Sequence, residues 1–457
     1  MRSAFLLAGM LAMFAAPAVA GQPWTVQPQW VEAHEAFLAS DALRGRGSAT
    51  PDEAIAASYV ASQFEGYRLQ HAPGMDSYLQ TAWVVKPKLS GAAVLTIGDQ
   101  VIHEQSGLTL LYAGRDNISG TLQVATSDDP ANVPAGDVLL VSQTGKASLG
   151  QWLRAARAKG ARLVIFRESD DTRKRYAAAG NTTSVPISLE DQQQSAFAGA
   201  DMATVAPDAF DRLVTLQGAA VTLDMGATTL EKSLTTNAIG YLPGSNPNAG
   251  IILVTAHLDH LGVQPDGTIM HGANDDASGV TAVLEVAHAM AAGKRTRRGI
   301  LFVGYGSEEI GGLGSQYFGA HPPVPLNSIV ANLEFEMIGA QDPKMTPGVM
   351  MMTGFDRSNL GETLKAHGAL VAPDIYPDQH FFERSDNYSL ALQGIVAHTI
   401  SGWAVTPTYH DKTDDLAHLD IPFMTKAIQS LIEPVRYLAN SDFKPEWTPG
   451  GKPEPRK

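Results

Sequence analysis

Between residues 251 and 312, two apolar runs and one glycine-flanked turn each deliver ionisable side chains at one end. The run 251–256 leads into His257 and Asp259. The turn, bounded by Gly272 and Gly279, carries Asp275 and Asp276. The run 300–304 leads into Glu308 and Glu309. A buried strand that ends in acids or imidazoles describes the carboxyl edge of an α/β sheet, where ligand sites form. His, Asp and Glu in a chain with no Cys suit a catalytic zinc site that keeps open positions.

The surrounding pattern supports such a sheet. Strand-like runs at 237–243, 251–256, 300–304, 329–337, 348–353 and 395–400 alternate with helical patterns at 278–291, 311–320, 360–367 and 423–440. That alternation predicts an α/β sandwich with a largely parallel central sheet. Upstream, 29–69 reads as helical with a Gly-rich break at Arg44-Gly45-Arg46-Gly47-Ser48. Thr50-Pro51-Asp52-Glu53 is a helix start, with Pro early and acids in the first turn. Residues 78–99 alternate as strands.

From about 100 to 228 the texture is different. Short strands dominate, with helices expected near 148–159 and 189–197, so this stretch reads as a compact β-rich unit. It contains no cluster with evident chemistry, and its basic run Arg173, Lys174 and Arg175 reads as a solvated loop. A length of 457 residues agrees with two folded units. After Asp442 the chain is rich in Pro, Lys and Glu, so 443–457 is expected to be a flexible tail.

Residues 1–20 read as a secretory signal peptide: Arg2, an apolar run over 5–14, and Ala18-Val19-Ala20 as the cleavage pattern. The run is too short for a comfortable membrane span. With no Cys, lipid attachment at the cut site, disulfides and thiolate metal sites are all excluded. The mature protein is therefore expected to be exported, periplasmic or secreted, without stable membrane association. A net charge of −14 argues against a nucleic-acid partner.

A pair of divalent ions held roughly 3.5–4 Å apart needs neutral imidazoles and carboxylates, one of them bridging. His257 is a candidate ligand. Asp259, two residues on, is placed to orient its ring. Asp275 is the candidate bridge. Of the adjacent Glu308 and Glu309, one can bind metal while the other acts as general base. Glu334, Glu336 and His410 are candidates to complete the set. Each also has an ordinary reading: Asp276 or Ser278 could cap the helix that begins there, and Glu308-Glu309 could be a solvated pair at a helix start. Their joint occurrence at element ends within one α/β region favours the metal site.

The segments AHLDHLG, GANDDASG, GYGSEEIGGLGS, NLEFEMIG, ERSDNYSL and YHDKTDD, in this order, resemble the two-zinc exopeptidases, which include secreted aminopeptidases, glutamate carboxypeptidases and the transferrin receptor ectodomain. The spacing is similar too: 18 residues from His257 to Asp275, 34 to Glu309, 27 to Glu336 and 74 to His410. The likeness covers about 236–440. ALRGRGSATPDE resembles the family's N-terminal lead-in, and 100–228 resembles an inserted protease-associated domain through AGDVLLVSQTG, ARAKGARLVIF and TSVPIS.

The resemblance implies a three-layer sandwich with a mixed, largely parallel sheet, divided as 21–99 and 229–442 around the insert. It implies two zinc ions: His257 and Glu336 on one, Glu309 and His410 on the other, Asp275 bridging. Glu308 would be the general base and Asp259 would fix the His257 ring. The peptide bond after Asp275 would be cis. Tyr409 matches a Tyr that hydrogen-bonds the scissile carbonyl oxygen, and Arg384 an Arg that helps hold the substrate.

Two positions depart from the family pattern. Many aminopeptidases have Asp where this chain has Glu336, although the likeness of EMIG to the family's DMIG favours Glu336 over Glu334 as ligand. Asn387 stands where His is frequent. His260, His271, His288, His380, His398 and His418 are expected in structural or surface roles, with His380 a candidate for lining the substrate cleft.

The implied function is an aminopeptidase acting on peptides. A carboxypeptidase or dipeptidase would need a basic pocket for the substrate carboxylate, which Arg384 alone does not make. A glutaminyl cyclase-like transferase would typically use one zinc and lack the insert. A non-catalytic binding homologue would have degraded ligands, whereas every ligand type is present here.

Overall fold

The computed structural model describes residues 24–104, 106–114, 117–178, 180–192 and 199–454. The expected signal peptide lies outside them. Among the described residues no helix is long and apolar enough to cross a membrane.

The central sheet has nine strands. Its middle is parallel, in the order Ala397–Ser401, Ile329–Phe335, Ile251–His257 and Gly299–Tyr305. Thr228–Leu242 and then Leu79–Leu89 extend it antiparallel on one side. Met350–Met352 adds antiparallel on the other side, followed by Val371–Pro373. Every residue of Ile251–His257 and of Gly299–Tyr305 is buried, as expected of strands covered on both faces.

Alternate side chains serve the two faces. Ile252, Val254 and Ala256 pack with Ser278–Ala291 and Ile421–Asn440 through Val283, Leu284, Met424 and Leu431. Leu253, Leu301 and Val303 pack on the opposite face with Phe318 of Leu313–Ala320 and Leu390 of Asn387–Leu392. The result is a three-layer sandwich. After Ile251–His257 the chain places Gly299–Tyr305 on one side, then Ile329–Phe335 on the other. This reversal opens a crevice at the carboxyl end of Ile251–His257.

A second, eight-stranded sheet holds its own core, including Leu122, Val138, Ile165 and Phe210 on one face and Trp152 and Phe166 on the other. The long antiparallel ribbon formed by Leu79–Leu89 and Thr228–Leu242 leads into and out of it. Val94–Ile97 pairs with Ala220–Asp224 in this second sheet, so the unit begins before residue 100. Ser188–Leu189 returns from it to add an edge strand to the main sheet.

Other local expectations are corrected. Arg173, Lys174 and Arg175 lie in the helix Asp170–Ala178, and Arg173 pairs with Glu168 at 2.9 Å. Of the helix expected near 189–197, Glu190–Gln192 is a 3-10 turn and 193–198 lies outside the described residues. The segment after Asp442 is anchored as far as it is described. Trp447 packs among Phe382, His398 and neighbouring apolar residues, and its Nε1 donates to the Gly394 carbonyl at 3.1 Å. One large aromatic ring with a satisfied indole N–H holds a stretch whose composition suggested disorder.

Candidate metal centre

Each candidate ligand sits where a buried element ends. His257 is the last residue of its strand, and Glu336 follows Ile329–Phe335 directly. Glu308 and Glu309 follow Gly299–Tyr305 after Ser307, whose φ is 56°. Asp275 lies in the kinked turn Ala273–Ala277, behind Gly272 at φ 59°, and the Asp275–Asp276 bond is cis. His410, at φ 52°, comes from a loop following Ala397–Ser401.

These residues converge on Asp275. His257 Nε2 lies 3.3 Å from Asp275 Oδ1, and His257, Asp275 and Glu336 can offer ligand atoms within 4.8 Å of one another. On the other side, His410 Nε2 lies 3.3 Å from Asp275 Oδ2 and 3.1 Å from Glu309 Oε2. His260, Asp275 and Glu309 form a second group within 4.8 Å. His257 Nε2 is buried and makes no hydrogen bond. A buried ring nitrogen without a partner, in a shell of imidazole and carboxylate, fits a divalent cation.

Backbone-directed hydrogen bonds hold the loops together. Asp276 Oδ1 accepts from the Gly279 amide at 2.9 Å and the Met337 amide at 3.0 Å, and its Oδ2 accepts from the His257 amide at 3.2 Å. It thus caps the helix and joins three ligand-bearing segments. Asp414 accepts from the amides of Asn274 at 2.8 Å and Asp275 at 3.0 Å. Glu53 accepts from the amides of Ala49, Thr236 and Ser307, which braces the turn before Glu308. Arg46 is fully buried and donates to the carbonyls of Leu38, Leu258, His271 and Gly272. Sequence reasoning passed over Glu53, Arg46 and Asp414. An acid at a helix start and a Gly-rich break gave no sign of long-range partners.

Asp259 has a different geometry from the one expected. Its Oδ1 lies 3.8 Å from His257 Nδ1, outside hydrogen-bond length, while its own backbone oxygen lies 3.2 Å from that nitrogen. The carboxylate instead accepts from the amides of Glu308 at 2.9 Å and Glu309 at 3.2 Å, and from the Ser48 hydroxyl. Glu336, not Glu334, reaches the cluster. Glu334 is fully buried behind it and accepts from Ser385 Oγ at 3.0 Å and from the Asn387 amide.

Five of the remaining histidines have structural or surface settings. His271 pairs with Asp41 at 2.7 Å, and His288 is stacked between Trp24 and Tyr67. His398 is buried between Ser358 and the Thr353 carbonyl. His418 meets Asp415, and His380 is exposed. His260 departs from the expectation: it is fully buried, and its Nδ1 lies 2.8 Å from Glu309 Oε1. The signal was its place directly after His257-X-Asp259. Tyr409 and Arg384 line a cleft with Glu336, Met351 and Phe381, and Arg384 lies over the Phe381 ring.

The electrostatics follow from burying many acids together. Burial, reinforced by Asp386, Glu336 and Glu309, pushes the Glu308 carboxyl well above its usual range, against the attraction of His257. Burial also pushes Glu336 upward. Burial opposes charge on His410, yet contact with Asp275 and Glu309 pushes it up to about 10. The bare cluster therefore holds protons that a cation would displace.

Residues 237–435 match peptidase family M28. The chain is 25% identical over 373 residues, 72% of its length and 69% of the relative's, to a probable lipoprotein aminopeptidase, LpqL, of Mycobacterium tuberculosis. Its fold is similar to that of an aminopeptidase from Aneurinibacillus sp. strain AM-1, with TM-score 0.59, 19% identity and coverage of 91% of this chain and 94% of that one. It is also similar to the zinc aminopeptidase BSAP of Bacillus subtilis, with TM-score 0.55, 18% identity and coverage of 91% and 96%.

Proposed function

This chain belongs to peptidase family M28 through residues 237–435, and from that premise we propose that it is an exported aminopeptidase that releases N-terminal amino acids from peptides with two zinc ions. The observation that carries the reading is the sharing of Asp275: one oxygen faces His257, the other faces His410. In this reading His257 and Glu336 would hold one ion and Glu309 and His410 the other, with Asp275 shared between them. Bound ions would supply polarisation of the scissile carbonyl and a nucleophilic water at neutral pH.

The chain's own residues supply the rest. Glu308 takes the proton from the attacking water and passes it to the leaving amine. Its place directly beside Glu309, with its amide held by Asp259 Oδ1 at 2.9 Å, sets it next to the proposed ions for this task. Burial beside Asp275, Glu309 and Glu336 keeps the Tyr409 phenol protonated, so it donates to the carbonyl oxygen as negative charge develops. Asp259, through the Glu308 and Glu309 amides, fixes the base and its neighbouring ligand relative to each other. The substrate's free amine lies by Glu336, and its first side chain enters the cleft with Arg384. Segment 1–20 directs export, and the second sheet is a protease-associated domain.

Hydrolysis of amino-acid anilides against N-blocked dipeptides, with and without chelator, tests the reading. Chelator-sensitive cleavage of the anilides is expected. Cleavage confined to the N-blocked substrates would exclude an aminopeptidase.

A further inference from the structure

His260 lies outside the five-residue ligand set, yet it is packed into the centre. Its ring rests against Gly272, where a Cβ would come within 2.4 Å of His260 Cγ. Its backbone amide donates to the Arg46 carbonyl at 3.1 Å. The residue is therefore held between the N-terminal loop, through its backbone, and the turn that carries Asp275, through its ring. Among the described residues, the one polar contact of hydrogen-bond length made by its ring is from Nδ1 to Glu309 Oε1, at 2.8 Å.

We propose that His260 is a positioning residue for the second metal: its Nδ1–H holds Glu309 Oε1 and thereby turns Oε2 toward the ion. The inference rests on the two-zinc reading above. The 2.8 Å contact fits a hydrogen bond in which Nδ1–H donates to the Glu309 carboxylate, which as an anion only accepts. The other donors already form a compact set: Glu309 Oε2 and Asp275 Oδ2 lie 3.1 and 3.3 Å from His410 Nε2. His260 Nδ1 stands 3.8 Å from Asp275 Oδ2, on the Oε1 side of Glu309. Without this hydrogen bond the Glu309 carboxylate is oriented through Oε2 alone. Partners that orient ligands in this way affect metal affinity by roughly 10- to 100-fold.

The test follows zinc release from the full-length holoenzyme to a chromophoric chelator, alongside the thermal midpoint of each variant. Wild type should release two ions per chain. His260→Ala should release one of them roughly 10- to 100-fold more readily while the other stays at wild-type affinity. His260→Asn places an amide N–H close to the Nδ1 position and should restore retention to within about threefold of wild type, the residual shift expected of an imperfectly aligned hydrogen bond. If the Ala variant does not fold, His260→Gln replaces it. Its amide falls nearer the Nε2 position and should leave the second ion weakly held. Wild-type retention in the Ala or Gln variant would overturn the proposal, because a packing role alone leaves ion affinity unchanged. Loss in the Asn variant equal to that in Ala would also overturn it and would make the imidazole itself a ligand. Release of a single ion by wild type would overturn the two-zinc reading, and the proposal with it, before any variant is compared.

Discussion

The carboxylate of Asp414 receives the backbone amide of Asp275 at 3.0 Å, and that of Asn274 at 2.8 Å. A residue 139 positions downstream thus sets the plane of the proposed bridging ligand. Asp414→Ala leaves two buried amides without an acceptor and lets the turn rotate. Chelator competition should show metal affinity lowered by roughly 10- to 100-fold. Asp414→Asn should fall between Ala and wild type, since one of its two side-chain atoms no longer accepts.

Glu308→Gln keeps the shape of the proposed base and removes its proton affinity. Turnover should fall by about 10²- to 10⁴-fold or more, while metal content by elemental analysis stays at the wild-type value. Substantial residual turnover at full metal content would exclude Glu308 as the base.

Arg46 joins the N-terminal segment to both loops that carry His257 and Asp275. Arg46→Ala would leave the carbonyls of Leu38, Leu258, His271 and Gly272 short of donors in the interior. Urea unfolding should show a loss of about 3–5 kcal/mol, the range for removing a buried charge from its partners. Arg46→Lys should recover part of it, because one ammonium reaches fewer of the four oxygens than a planar fork does.

Glu35 supplies a pH-dependent prediction. Burial raises its carboxyl from 4.5 to about 8, against a hydrogen bond from Thr281 and the charge of Arg46. The folded state then keeps a proton that the unfolded state has released. Stability contributed by the protonated form is complete below about pH 4.5 and is lost as pH rises toward 8. Glu35→Gln mimics the protonated side chain and should remove this fall. Thermal midpoints from pH 5 to 8.5 should decline less in the variant, by an amount on the order of 2–4 kcal/mol in stability over the interval. Parallel profiles for the two proteins would contradict the assignment.

Strand-and-helix alternation over 237–440 was legible because buried strands and amphipathic helices have different periods. The helix from Pro51 was legible from Thr50, whose hydroxyl accepts from the Asp52 amide. Position 447 was not. A single Trp in a Pro-rich tail is locally ambiguous, and its partners Phe382 and His398 lie far upstream. The start of the second unit was misplaced for a similar reason. Val94–Ile97 has the same alternation as Leu79–Leu89, and only pairing with Ala220–Asp224 assigns it to the other sheet.

The sequence by itself determined the chemistry available: imidazoles and carboxylates with no thiol, set at the ends of apolar runs in one α/β region. Tertiary structure decided which of them meet. It put Glu336 in the cluster and turned Glu334 toward Ser385 and Asn387. It brought His260 onto Glu309, and moved the carboxylate of Asp259 from the His257 ring to the Glu308 and Glu309 amides. Residue identity and spacing set charge and reach. Hydrogen bonds to distant backbone amides depend on how strands and loops stack, which no local pattern encodes.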